Sequence, residues 1–194
     1  MTNADEYEYS SANSFGTASC RERDGAIVLE PRIEYVQAFE VVGVEGTFIG
    51  SQSPDATNDH VISPLWHEFN LRIAEVRHRT EPGVRYGVMY WRPESERSHP
   101  DELQYIASAR VGSAEDIPYP MTYFEVPAAT YAIFTHRGSL EKLTETIRYI
   151  DRTWAPASEY KHSGIEIERY DSQYRENSED SVMKYSVSIV RKNH

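Results

Sequence analysis

One order of elements is written twice in this chain, and it restricts the fold more than any other feature of the sequence. Tyr90 and Tyr170 stand 80 residues apart, and so do Tyr105 and Tyr185. In the first half, Arg32 to Phe48 is β-branched and aromatic, with Val42, Val44 and Phe48 alternating onto one face. Turn residues fill Gly50 to His60. Ser63-Pro64 then has the form of an N-cap followed by proline at the first helical position. Ile62, Leu65, Phe69, Ile73 and Val76 follow at helical spacing. Tyr86 to Trp91 and Leu103 to Val111 form a hairpin around a charged loop. The second half repeats the order. Met121 to His136 is strand-like with a break at Pro127, and Gly138-Ser139 offers a turn and an N-cap. Leu140, Leu143, Ile147, Ile150 and Trp154 form a helical stripe, and Ile165 to Tyr170 with Val182 to Val190 form the second hairpin. The expected fold is therefore α+β: a duplicated βαββ unit with pseudo-two-fold symmetry. Two antiparallel sheets would flank a ligand cleft, with two main helices near 62–78 and 139–154. The repeats cover about 31–113 and 119–191 of a domain running from 31 to 194.

Residues 1–30 differ from the rest, rich in Ser, Asn, Asp and Glu, and are expected to be a flexible extension whose first 25 or so residues can be deleted. Cys20 falls there as an inert thiol, and a single cysteine excludes a disulfide framework. A net charge of −11 argues against direct nucleic-acid binding and favours cationic ligands. The sequence contains neither a membrane-length apolar stretch nor a signal peptide, so the expected setting is cytoplasmic, without a membrane partner.

The alternation of Gly164 to Tyr170 places Ile165 and Ile167 on one face, read here as the helix side, and Glu166, Glu168 and Tyr170 on the other. Tyr86, Val88 and Tyr90 would occupy the equivalent face of the first repeat, with Tyr105 and Tyr185 on the partner strands. If these faces converge, tyrosines line a cleft around one or two carboxylates, an arrangement suited to a bulky organic cation. The competing reading is a solvated sheet face bearing ordinary surface acids; the residues favour that for Glu166 and leave it open for Glu168. Trp66 lies beside the Ile62-Leu65-Phe69 stripe, so of the two helix tryptophans it is better placed than Trp154 to reach the cleft. The seven histidines show no metal-ligand spacing, and neither a metal nor a cofactor is expected. His136 reads as a capping or buried structural histidine. The chain contains no nucleophile elbow and no glycine-rich phosphate loop.

The order of motifs resembles the GyrI-like small-molecule-binding family, the effector-binding domain of AraC-type and MerR-type transcription regulators. In the first half the matching stretches are Phe39 to Gly46, Pro64-Leu65-Trp66, Tyr86-Gly87-Val88 and Tyr105-Ile106-Ala107. In the second they are Val126 to Ala132, Phe134 to Gly138, Trp154-Ala155-Pro156, Ile167-Glu168-Arg169-Tyr170 and the strand of Tyr185. The likeness covers roughly residues 31–191. It implies a cleft along the pseudo-dyad with Glu168 among aromatic side chains, and lipophilic, often cationic, ligands. Two departures stand out. Where the family often has a second glutamate and a proline around the last-strand tyrosine, this chain has Met183 and Val187. The segment before Pro31 is also too short and acidic for the DNA-binding domain of such regulators, so a stand-alone binding protein is expected.

The leading expectation is an effector-binding protein that holds a hydrophobic organic compound, cationic or neutral, against Glu168. Its lining would be Tyr86, Tyr90, Tyr105, Tyr170, Tyr185 and Trp66. The alternative, implied by the resemblance, is a hydrolase of strained electrophiles, in which Glu168 handles water and Tyr105 supplies a proton. A third expectation is a protein-interaction role, with a regulator or a topoisomerase as partner.

Overall fold

The computed structural model describes residues 30–193, together with the backbone of 21–23 and 26–28. The expected N-terminal extension and Cys20 therefore lie almost wholly outside the described residues. Two short strands, β1 (Arg21–Arg23) and β2 (Ala26–Val28), pair with each other. The stretch expected to be one strand from Arg32 to Phe48 is two: β3 (Arg32–Val36) and β4 (Phe39–Ile49). They diverge because they serve opposite ends of the sheet.

Helix α1 spans Asn58–Arg72 and continues as a 3₁₀ turn, Ile73–Glu75. It begins six residues before the expected Ser63-Pro64 start. The Thr57 carbonyl accepts the His60 and Val61 amides at 3.0 and 3.2 Å, and the Thr57 hydroxyl accepts the Ile49 amide at 2.9 Å. The turn that opens the helix is thus anchored to the end of β4. Pro64 lies inside α1 and withholds one helical hydrogen bond there. Strands β5 (Arg85–Tyr90) and β6 (Glu102–Val111) form the first hairpin. Strands β7 (Thr122–Val126) and β8 (Ala129–Arg137) follow, separated at Pro127. The second helical segment opens with a 3₁₀ turn, Leu140–Lys142, and continues as α2 (Leu143–Tyr149), a π-helical turn (Ile150–Trp154) and a last α turn (Ala155–Ala157). Strands β9 (Tyr160–Tyr170) and β10 (Val182–Arg191) close the chain.

All eight strands from β3 to β10 form one antiparallel sheet, in the order β3-β8-β10-β9-β5-β6-β4-β7. The α+β class, the duplication and the two helices are as expected. The two half-sheets, however, are not separate layers. They join edge to edge through the β5–β9 pair, which sits at the pseudo-dyad. The outermost strands are exchanged: β3, which leads into β4, pairs with β8 of the other half, while β7, which leads into β8, pairs with β4.

Both helical segments lie on one face. Val61, Ile62, Leu65 and Trp66 of α1 pack against the same core as Leu143, Ile147 and Trp154. That core holds Val42, Val44, Phe48, Met89, Tyr105, Phe134, Tyr170 and Tyr185. Gly46 lets α1 approach β4, since a Cβ there would lie 2.9 Å from Leu65. A smaller core on the opposite face holds Phe39, Val41, Tyr86, Val88, Ile106, Tyr131 and Ile167. His136 is buried, as expected of a structural histidine. Its Nδ1 is 2.9 Å from the Thr146 hydroxyl and its Nε2 is 3.1 Å from the Ser139 carbonyl.

Candidate functional site

The register of the central pair decides which side chains meet. Gly87 lies opposite Glu168, and Met89 opposite Glu166. Glu168 in turn lies opposite Tyr185 on β10, and Met89 opposite Tyr105 on β6. These residues share the face covered by the helices. The assignment of Ile165 and Ile167 to that face is therefore inverted: Ile167 belongs to the opposite core, and the two glutamates and Tyr170 point toward the helices.

The same register corrects the match between repeats. Tyr105 and Tyr185 do correspond, and the partners they face across the ladder, Met89 and Glu168, correspond with them. Tyr90 and Tyr170 do not, because the second hairpin is one residue longer and strand alternation moves Tyr90 to the far face. There Tyr90 stacks on Phe124 at 4.5 Å and donates to Glu45 at 2.7 Å. Tyr86 is also on the far face and donates to Glu81 at 3.1 Å. Neither tyrosine belongs to the site.

Glu168, Tyr105, Tyr170 and Trp66 do come together. The Tyr105 hydroxyl donates to Glu168 Oε2 at 2.5 Å, and the Tyr170 hydroxyl donates to the same oxygen at 2.8 Å. Trp66 Nε1 donates to the Tyr105 oxygen at 2.7 Å, so a chain of bonds runs from α1 through β6 to β9. The indole meets Tyr170 edge-on at 5.2 Å and Tyr105 at 6.3 Å, and Tyr174 packs edge-on against Tyr170 at 4.7 Å. Tyr185 completes the group from β10, with its hydroxyl donating to Glu166 rather than to Glu168.

Gly87 makes the arrangement possible. A Cβ there would overlap the Tyr105 hydroxyl and lie 2.5 Å from Glu168 Oε2, so these groups meet directly above the bare backbone of β5. The sequence carried this signal as a glycine inside a strand, at Tyr86-Gly87-Val88, but nothing linked it to the glutamate. Glu166, whose sequence context suggests a surface acid, lies partly buried on the site face, with His162 Nε2 3.6 Å from its Oε1.

Glu168 is 5% exposed. Burial pushes its carboxyl above the ordinary 4.5; the Tyr105 and Tyr170 hydroxyls pull the other way, and neighbouring Glu166 adds to the rise. Among the described residues neither an arginine nor a lysine contributes. Burial likewise raises Glu166, offset in part by His162 and the Tyr185 hydroxyl. It also holds the Tyr105, Tyr170 and Tyr185 hydroxyls well above 10, with the adjacent carboxylates reinforcing the shift. The far face offers a contrast. A groove of about 520 Å³ there is lined by Phe39, Thr80, Glu81, Arg110 and Gly112. Glu40 lines it as well, and Glu81 is paired with Arg110 at 3.0 Å and Arg169 at 3.4 Å, so this groove, unlike the surroundings of Glu168, sets an acid against two guanidinium groups. Among the described residues no cluster has the makings of a metal site, and no helix is long and apolar enough to cross a membrane.

A family model described as a GyrI-like small molecule binding domain matches residues 29–189. The chain belongs to the GyrI-like family. This GyrI-like chain is 31% identical over 148 residues to the transcriptional regulator BrlR of Pseudomonas aeruginosa, a match that takes in 76% of this chain and 50% of BrlR. It thus spans about half the length of that relative. The fold is similar to that of SAV2435 bound to tetraphenylphosphonium, with a TM-score of 0.63 at 15% identity over 83% of this chain and 94% of that one. It is also similar to EcmrR in its DNA complex, with a TM-score of 0.60 at 13% identity over 84% of this chain and 58% of that one. A similar fold thus occurs both in a protein solved with tetraphenylphosphonium and within a longer chain solved in a DNA complex.

Proposed function

We propose that this GyrI-like domain binds a lipophilic organic cation, with Glu168 as the anion and Trp66, Tyr105, Tyr170 and Tyr185 as the aromatic surround. The observation that carries the reading is a carboxylate 5% exposed whose hydrogen-bond donors are two neutral tyrosine hydroxyls. An ionised group buried without a counter-charge is costly, and a cation bound beside it recovers that cost. Aromatic rings around the carboxylate favour a cation whose own surface is apolar or aromatic. The resemblance to a fold solved with tetraphenylphosphonium supports the same ligand class. Glu168, Tyr105, Tyr170 and Tyr185 are all buried, so a ligand of that size enters by displacing the side chains packed around them.

The competing reading, hydrolysis by Glu168 and Tyr105, asks Tyr105 to give up a proton. Burial and the adjacent carboxylate hold its hydroxyl well above 10, which weakens it as an acid and favours binding over turnover. As a binding module, the chain fits the sensing part of a regulatory function, the role suggested by its relation to half of BrlR.

Titration with tetraphenylphosphonium and with neutral triphenylphosphine oxide tests the reading. Glu168→Gln is expected to weaken the phosphonium about ten-fold or more while changing the oxide little, given the worth of a desolvated charge contact. Equal losses for both ligands would reduce Glu168 to a structural residue.

A further inference from the structure

The face of the sheet away from the helices carries basic side chains on four neighbouring strands: Arg32 on β3, Arg137 on β8, Lys184 on β10 and Arg169 on β9. Register puts them together. Lys184 stands opposite Thr135 on one side and opposite Arg169 on the other. Arg137 follows Thr135 by two residues, and Arg32 stands opposite Ile133, two residues before Thr135. Four strands at about 4.8 Å spacing make the patch about 14 Å wide. The chain has 31 acidic residues against 20 lysines and arginines, so a patch built on four bases reverses its charge locally.

The acids nearby leave two of these bases unmatched. Glu34 takes Arg32 at 2.7 Å, while Asp171 and Glu81 take Arg169. Lys184 and Arg137 form no ion pair among the described residues, and the Lys184 ammonium donates to the Thr135 hydroxyl at 2.8 Å. Like charges directly opposite on a ladder repel, and Lys184 faces Arg169 in this way. Lys184 is also half-buried. Burial and the Arg137 guanidinium hold its pKa below 10.5; Arg32 and Arg169 add to the fall, and Asp171 opposes it. An ammonium so placed gains from any carboxylate brought to it.

The chain itself carries such carboxylates. Asp5-Glu6-Tyr7-Glu8-Tyr9, which lies outside the described residues, holds three acids and two tyrosines, and no lysine, arginine or histidine precedes Arg21. The chain runs from there through β1 and β2 to Arg32, itself a member of the patch. Pairing of β1 with β2 returns Arg21 to the side of Val28, four residues before Arg32. The 11 residues from Ser10 to Cys20 span up to about 36 Å, more than the patch is wide. Guanidinium groups take carboxylates through paired hydrogen bonds and stack on aromatic rings, so interleaved acids and tyrosines suit them twice over. We propose that the acidic segment Asp5–Tyr9 docks across the basic patch of its own chain, with Lys184 and Arg137 as its main contacts. Single ion pairs of this kind are weak, so the segment is held by several at once and is released by salt. The inference concerns the face opposite Glu168 and does not depend on what binds there.

The test is paramagnetic broadening of NMR signals in the full chain, with Cys20→Ser removing the one cysteine and Ser10→Cys carrying a nitroxide beside the acidic segment. The amide signals of Arg137, Lys184 and Arg169 are expected to broaden at about 0.01 M salt, where charges act over about 30 Å, and to sharpen at about 1 M, where they act over about 3 Å. The amide of Arg148, on α2 across the sheet, should stay sharp at both. Lys184→Gln with Arg137→Gln is expected to cut the docked population about five-fold, the worth of two exposed ion pairs. Glu6→Gln with Glu8→Gln should do the same without touching the sheet, whereas Arg148→Gln, an exposed change of the same charge, should not. In a mixture of isotope-labelled chains without nitroxide and unlabelled chains carrying it, the patch signals should stay sharp. Absence of broadening at the patch, broadening that ignores salt and the Glu6 and Glu8 changes, or equal broadening at Arg148 overturns the docking. Broadening in the mixture means contact between copies and overturns docking within one chain.

Discussion

Gly87 and Glu168 face each other across the central strand pair, and the side chain that the glycine lacks leaves the space in which the glutamate meets Tyr105. The site is built on this pairing. Without it the hydroxyl and the carboxylate would sit on either side of a methyl group.

Gly87→Ala is therefore expected to destabilise the protein by about 1–3 kcal/mol, the usual cost of forcing atoms into a packed core. It should also break the Trp66–Tyr105–Glu168 chain of bonds. Gly83→Ala serves as the control, since a Cβ there meets nothing within 4 Å. Urea unfolding of the two variants should separate them clearly, and a Gly87→Ala protein of wild-type stability would contradict the close approach.

Glu168 should make stability depend on pH in a definite direction. Burial raises its pKa above 4.5, so the folded chain holds this proton more tightly than the unfolded one. Stability from such a group is complete below 4.5 and is lost as pH rises through the folded value. Glu168→Gln carries no such penalty. Its melting temperature relative to wild type should climb between pH 4.5 and 8, which a series of thermal melts across that range would read directly.

His136 should act in the opposite sense. Burial lowers its pKa below 6.5, so the fold prefers the neutral ring and the unfolded chain binds the proton first. That contribution is present above 6.5 and is lost as pH falls through the folded value. His136→Gln removes it, so the stability gap between wild type and variant should narrow on acidification. A gap independent of pH would mean that the ring is not held neutral.

Trp66→Phe keeps an aromatic edge against Tyr170 but removes the Nε1–H donor to Tyr105. A loss of about 1 kcal/mol is expected, the typical worth of one intramolecular hydrogen bond. Trp66→Phe should preserve the fold by circular dichroism, and an unchanged unfolding midpoint would show that the indole bond adds nothing.

Much of this was legible in the residues. Helical stripes and alternating runs located both helices and both hairpins, and the family likeness pointed to Glu168. Trp66 was placed beside its stripe, and that offset is what brings its indole to Tyr105. What the sequence withheld was register. Tyr86 and Tyr90 look like cleft residues until β5 is aligned against β9, after which Gly87 and Met89 take the inner face. A single extra residue in the second hairpin was enough to mislead, because strand periodicity is two and any odd offset exchanges the faces. The same ambiguity hid Glu166, whose burial depends on which side the helices cover. The π-helical turn at Ile150–Trp154 left no mark in a stripe that reads as ordinary helix.

The exchanged outer strands bind the two repeats into one object. Because β3 precedes the first repeat in sequence yet seals the edge of the second, while β7 does the reverse, neither repeat can finish its own sheet. Each borrows its last strand from the other, as two subunits do in an intertwined dimer. Damage therefore travels to the far side. Removing residues 32–36 would leave the first repeat's ladders whole and bare the edge of β8, almost a hundred residues downstream. Folding must then be a joint event, with neither half reaching its final form before the other supplies the closing strand.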